Sequence, residues 1–198
     1  MLLNPIQLIA APRRYWQAVG QLPLERFTLG VVYFFIMATL PSLALYYGTT
    51  HSGWSDSEGL VRFTDASAMG VAIAIYLAIT VMLIILGFVV HLLAKGNKSN
   101  SSLIKGIAVV GIAFTPLYIS SLSMLYPNFW LDISLAGIGI AWSILLLQKG
   151  IPLAMNIPEE NNVLYFGAIS TIALFVLTVY LGITVFLWDS GFLPVFAN

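Results

Sequence analysis

The densest run of side chains able to do chemistry is Thr115-Pro116-Leu117-Tyr118-Ile119-Ser120-Ser121-Leu122-Ser123. Hydroxyls supply hydrogen bonds, but without an adjacent base they supply no activated nucleophile. Pro116 lacks a backbone donor and crowds the carbonyl of Ile112, which predicts a kink. Thr115, Tyr118, Ser120 and Ser123 would then form a polar lining beside Pro116, the kind of surface a permeating solute needs. The plainer reading turns these hydroxyls back onto the helix backbone or across to a neighbouring helix. Pro41, beside Thr39 and Ser42, predicts a second kink of the same kind.

Other reactive types are sparse. His51 shares a short segment with Trp54, Asp56 and Glu58, but its spacing matches no metal cage. His91, near Lys95, reads as a solvated boundary residue. Gly137-x-Gly139 lies inside an apolar run and suits helix packing, not nucleotide binding. There is no cysteine, so neither thiolate catalysis nor a disulfide is available. No nucleophile–base pair, zinc motif or phosphate-cradling glycine loop occurs. Asp132 and Asp189 are isolated carboxylates near one membrane surface. This inventory predicts no enzyme, no metal and no cofactor.

The elements that position these residues follow from composition. Apolar residues make up 60% of the 198-residue chain and charged ones 8%, with a mean hydropathy of +0.95. Soluble domains average about 25% charged residues, so the chain reads as an integral membrane protein. A helix needs about 20 mostly apolar residues to cross a bilayer. Five runs qualify, at about 27–47, 67–93, 102–126, 129–147 and 163–188, the third and fourth joined by Tyr126-Pro127-Asn128 as a tight hairpin. The predicted fold is all-α, a single domain over residues 1–198. Arg13, Arg14, Arg26, Lys95, Lys98, Lys105 and Lys149 fall on one side of that arrangement, and only Arg62 falls on the other. Basic residues mark the cytoplasmic side, which predicts an inside N-terminus and an outside C-terminus.

Residues 1–22 are too short and too polar at their end to span. Asn4-Pro5 and Ala11-Pro12 each place proline at a helix start, predicting two short helices that form a foot along the cytoplasmic leaflet. There Arg13 and Arg14 would face anionic headgroups, with Tyr15 and Trp16 at the same level. Gly70, Ala74 and Ala78 recur every fourth residue, as do Gly137 with Ala141 and Gly139 with Ser143. Such stripes let helix backbones approach closely, within the chain or between copies of it. The segment Lys149 to Asn162 reads as a shaped cytoplasmic loop with little regularity, and Pro158-Glu159-Glu160 as the start of the last helix.

That last segment carries a resemblance. Gly150, Pro152, Met155, Pro158, Glu159, Glu160 and Tyr165 fit a Gly-x-Pro-x-x-Met-x-x-Pro pattern followed by acids and an aromatic. The pattern resembles a cytoplasmic motif of the bacterial, YohC-like branch of the Yip family. Pro12-Arg13-Arg14-Tyr15-Trp16 and Thr115-Pro116-Leu117 are similar to that family's opening signature and proline-centred third span. The resemblance covers essentially the whole chain. It implies five spans in a bacterial inner membrane and supplies no catalytic residue. Eukaryotic members were named for interacting with Ypt/Rab GTPases, but this chain lacks their long polar N-terminal region.

The expected function is a non-enzymatic membrane-organising or protein- and lipid-interaction scaffold acting through its cytoplasmic face. In it, Gly150, Pro152, Met155, Pro158, Glu159 and Glu160 would form a partner-binding loop. The alternative is a small transporter or channel lined at the kinked third span. Expected partners are the lipid bilayer and other membrane proteins or a second copy of the chain, with no nucleic acid.

Overall fold

A computed structural model describes residues 5–56, 59–96, 99, 101–157, 167–168, 170–174, 178, 182, 185, 189 and 194–197. The two early prolines start two short helices, α1 (Pro5–Ala10) and α2 (Pro12–Gly20). The first apolar run is broken: α3 (Leu24–Met37) and α4 (Thr39–Tyr47) meet at Ala38. Pro41 cannot donate to the Met37 carbonyl four residues back, so the helix yields there. A π-helical turn, Gly48–Ser52, follows.

Next comes a feature absent from the all-α expectation. Strands β1 (Trp54–Asp56) and β2 (Gly59–Phe63) form an antiparallel hairpin, and β3 (Phe196–Ala197) adds to β2, giving the order β1-β2-β3. The hairpin is entered through Gly53 at φ +68° and turned at Gly59 at φ +129°, values that glycine adopts without steric cost. Trp54, Phe63 and Phe196 pack together with ring centroids 5.2–6.2 Å apart. Strands this short leave little periodicity to read, and half of the pairing comes from the far end of the chain.

Helix α5 (Asp65–Gly96) has 32 residues and α8 (Phe129–Met155) has 27, lengths of about 48 and 40 Å at 1.5 Å per residue. Between them lie α6 (Leu103–Ala113), α7 (Thr115–Ser120) and a 3₁₀ turn (Ser121–Leu125). Among the described residues, three helical stretches are long and apolar enough to cross a membrane: Leu24–Ser52, α5 and α8. The pair Leu103–Ala113 and Thr115–Leu125, bent by 43°, makes a fourth if it is one span. The described residues between 167 and 189 are helical as well.

Helix α6 is the axis of the bundle, buried continuously from Lys105 to Ala113 except at half-buried Ile107. Its small side chains make this possible. A Cβ on Gly106 would lie 2.2 Å from the Gly87 carbonyl oxygen of α5, and one on Gly111 would lie 2.6 Å from the Phe34 Cβ of α3. Gly30 meets Ala108 in the same way. The pairs 27/105, 30/108 and 34/111 run α3 and α6 parallel, while Gly87 against Ile107 and His91 against Ser101 run α5 the opposite way.

Of the small-residue stripes read from spacing, Gly139 with Ser143 lies at a close contact and the other two lie elsewhere. Gly70 and Ala74 are exposed and Ala78 is half-buried, while Gly137 and Ala141 are both exposed. A Cβ on Gly70 or Gly137 would meet nothing within 4 Å among the described residues. Close contact falls instead on Gly139, against Ser120 and Leu117, and on buried Ser143 one turn along. Four-residue spacing defines a stripe but not the face that turns inward. Among the described residues, Gly70, Ala74, Gly137 and Ala141 therefore do not mark a close helix contact within the chain.

Candidate functional site

The proline in the third span acts locally. Helix α6 stops at Ala113, Phe114 interrupts, and α7 starts at Thr115. The Ile112 carbonyl, which Pro116 cannot satisfy, accepts the Thr115 hydroxyl at 2.6 Å. Thr115 Oγ1 in turn bonds the Tyr33 hydroxyl at 2.8 Å, and with its own proton committed it must be the acceptor. Ser120 donates to the Leu117 carbonyl at 2.9 Å and Ser121 to the Tyr118 carbonyl at 2.6 Å. Ser123 donates to Asp132 Oδ1, while Asp132 Oδ2 accepts the Asn128 backbone N–H at 3.1 Å. Asn128 itself caps α8 by accepting from the Leu131 N–H at 3.1 Å. Tyr118 is 1% exposed, and its hydroxyl has no partner among the described residues.

Beside these residues lies a crevice of about 190 Å³. Ile75, Ile79 and Met82 of α5 form one wall, Phe114, Leu117 and Met124 the floor, and Ala136 with Asp132 the other wall. Most of these liners are half-buried, so the crevice opens on the bundle surface. It is apolar, because the hydroxyls of Ser120, Ser121 and Ser123 are engaged with backbone or with Asp132 and that of Tyr118 is buried.

The second candidate lies at the opposite end of the bundle, which collects Arg13, Arg14, Arg26, Lys95, Lys105 and Lys149. Helix α2 docks on the last two turns of α8. Trp16 is fully buried and Tyr15 is 2% exposed, the two rings meeting edge-on at 5.3 Å. A Cβ on Gly150 would lie 2.7 Å from Trp16 Cε2, and one on Gly20 would lie 2.3 Å from the Leu153 carbonyl oxygen. Burial holds the Tyr15 phenol above its ordinary pKa. Helix α8 ends at Asn156, whose left-handed backbone (φ 54°) lets the Ile157 N–H bond the Pro152 carbonyl at 3.0 Å. Ser99 Oγ donates to the Met155 carbonyl, and the Lys105 ammonium lies 5.3 Å from the centre of the Phe27 ring.

Two expectations are corrected here. Lys149 to Met155 is helix, not irregular loop; Gly150 and Met155 are buried, and Pro152, also largely buried, shows only at the base of a groove. Trp16 against Gly150 and the chain reversal at Asn156 stabilise a turn that Pro152 alone would weaken. Tyr15 and Trp16 likewise face protein, while Arg13 and Arg14 are exposed beside them. The apolar residues that α1 leaves outside are Ile6 and Ile9. Pro158, Glu159 and Glu160 lie outside the described residues.

What this end does expose is a groove of about 460 Å³ between α2 and the end of α8. Gln17, Gln21 and Asn156 supply amides along it, and Gly20, Pro152 and Leu153 form its base. The sequence reading missed all three amides. The signal available was Gly20 and Gly150, whose missing side chains permit the contact, and an asparagine directly after a long apolar run. In the π-helical turn before the hairpin, His51 stacks on Tyr47 with ring centroids 4.5 Å apart and its Nδ1 hydrogen-bonds the Thr50 hydroxyl at 2.8 Å.

Apolar helices of membrane-crossing length around a glycine-lined axis define a multi-pass α-helical membrane protein. The chain belongs to the Yip1 domain family, which it matches over residues 6–181. It is 28% identical over 158 residues to the inner membrane protein YohC of Escherichia coli K12, covering 79% of this chain and 81% of that one. The YohC of Escherichia coli O6:H1 matches to the same extent. The protein resides in the bacterial inner membrane. No solved structure matches.

Proposed function

We propose that this protein is a non-enzymatic interaction scaffold of the inner membrane, with its docking surface in the groove between α2 and α8. The carrying observation is the contrast between the two candidate sites. At the kinked third span the hydroxyls are consumed by backbone or neighbouring groups, which argues against a hydrated path. At the basic end an open groove offers the exposed amides of Gln17, Gln21 and Asn156 beside Arg13 and Arg14. Amides both donate and accept, so they suit a partner's peptide backbone.

The orientation assigned is N-inside and C-outside, with five spans and α1–α2 as an interfacial foot. Three observations support it. The described basic residues other than Arg62 gather at one end, as cytoplasmic residues do. Exposed Tyr47, Tyr126, Phe129 and Trp130 ring the other end like an interfacial aromatic belt. Helix α8 finishes at the basic end, yet β3 pairs with β2 at the belt end, with the Thr64 N–H on the Val195 carbonyl at 3.0 Å. The chain after α8 therefore has to return across the bundle, and its described residues between 167 and 189 are helical.

The test is site-specific photocrosslinking in native membranes from probes at Gln21 and Asn156, with a probe at Leu77 as the lipid-facing control. One protein captured from both groove positions and absent from the control is expected. Capture of nothing beyond lipid, together with solute flux in liposomes, would overturn the reading in favour of transport.

A further inference from the structure

The apolar crevice beside the third-span bend has no role in cytoplasmic docking. We infer that it binds one acyl chain of a phospholipid whose headgroup carries an ammonium, with Asp132 as the headgroup contact.

Trp130 and Lys149 are 19 residues apart on α8, about 28 Å along the axis, which matches a hydrocarbon core of about 30 Å. Trp130, 76% exposed, belongs at one boundary of that core. Asp132 then sits about 3 Å below it, at headgroup depth, and the rest of the crevice runs inward from there. Along α5 the wall from Ile75 to Leu83 covers eight residues, about 12 Å. The result is a slot oriented like a lipid tail, polar at the boundary and apolar below.

The walls select the tail. An apolar cavity of about 150 Å³ stays dry and takes an apolar guest, and this one has about 190 Å³. Its liners are only half-buried, so it opens where the surrounding medium is hydrocarbon. The bend supplies the space: α7 turns away from the α6 axis by 43°, so its floor recedes between α5 and α8.

Asp132 selects the head. Its carboxylate accepts hydrogen bonds from two neutral donors, the Ser123 hydroxyl and the Asn128 N–H. Among the described residues no Lys, Arg or His lines the crevice. The negative charge at the mouth thus favours a headgroup bearing an ammonium and disfavours one with only a phosphate. The inference does not depend on which leaflet contains the mouth or on the docking function proposed above.

The experiment uses the full-length protein in vesicles of phosphatidylethanolamine and phosphatidylglycerol. A trace of either lipid with a diazirine in its acyl chain is added, and adducts are mapped by mass spectrometry. Phe114 and Leu117 report the crevice, and exposed Leu77 and Val81 report bulk lipid contact. Adducts at Phe114 and Leu117 should form about fivefold more with the ethanolamine probe than with the glycerol probe, while Leu77 and Val81 show no preference. Asp132→Asn keeps a hydrogen-bond acceptor at the start of α8, and it should bring the ratio at Leu117 to about one. Ala136→Phe should fill the slot and remove Leu117 adducts with both probes while Leu77 adducts persist, and an unchanged thermal unfolding midpoint in detergent shows that the protein is folded. Equal labelling by the two probes in the wild type would overturn the inference. So would Leu117 adducts that survive Ala136→Phe in a protein whose unfolding midpoint is unchanged.

Discussion

At the scale of single residues, glycine decides which helix faces can touch. Gly106 and Gly87 bring the backbones of α6 and α5 together so closely that a methyl on Gly106 would meet a carbonyl oxygen at 2.2 Å. Backbone cannot move aside as a side-chain tip can, so Gly106→Ala should lower stability by about 2–3 kcal/mol, at the upper end for overpacking. Gly137→Ala, at a position with nothing within 4 Å, should be neutral or stabilising by up to about 1 kcal/mol through helix propensity. Thermal unfolding in one detergent compares the two, and equal losses would show that the α5–α6 contact is misassigned. Spacing brought Gly137 to notice and passed over Gly106 and Gly87. Whether a small residue meets a neighbour depends on helix rotation, which lipid-facing and protein-facing apolar residues leave equally undetermined.

At the scale of elements, the central fact is the docking of α2 onto the end of α8. The clamp is built from Trp16, Val19 and Gly20 on one side and Gly150, Leu153 and Met155 on the other. Removing the Trp16 ring should cost about 3–5 kcal/mol of local packing and release α2. The chain has no cysteine of its own, so one introduced at buried Val19 reports this directly. Val19→Cys should react slowly with a maleimide in the otherwise native protein and rapidly when combined with Trp16→Ala. Rapid reaction in both would mean that α2 is not held by the clamp. The prolines announced the two short helices, because fixed φ and a missing donor act within a few residues. The destination of the Trp16 ring was not legible, since an aromatic beside two arginines looks the same whether it faces headgroups or a glycine on another helix.

At the scale of the whole molecule, orientation turns on where the chain ends. Arg62 and Ala197 are direct partners across β2 and β3, and residues facing each other on antiparallel strands have Cα atoms about 4.5–5.5 Å apart, within disulfide range. In a chain that ends outside, Arg62→Cys with Ala197→Cys should oxidise spontaneously in cells, because the periplasm is oxidising. A shift in mobility on non-reducing gels that is reversed by reductant is the expected result. A pair that stays reduced in cells but couples in isolated membranes on addition of oxidant would place this end in the cytoplasm and reverse the orientation.

The sequence alone determined the membrane class, the approximate positions of the first four apolar stretches, the two short N-terminal helices and the kink at Pro116. Each depends on composition or on chemistry confined to about one helical turn: transfer of apolar residues from water, a fixed φ, a missing N–H. Tertiary structure alone decided the rest. It selected the glycines that pack, turned Lys149–Met155 from loop into buried helix, carried Trp16 from the expected surface to the interior and brought Phe196 back beside Phe63. These outcomes join residues far apart in the chain. In a sequence where nearly every surface is apolar, hydropathy cannot distinguish a neighbour from lipid; shape complementarity between distant segments makes that choice.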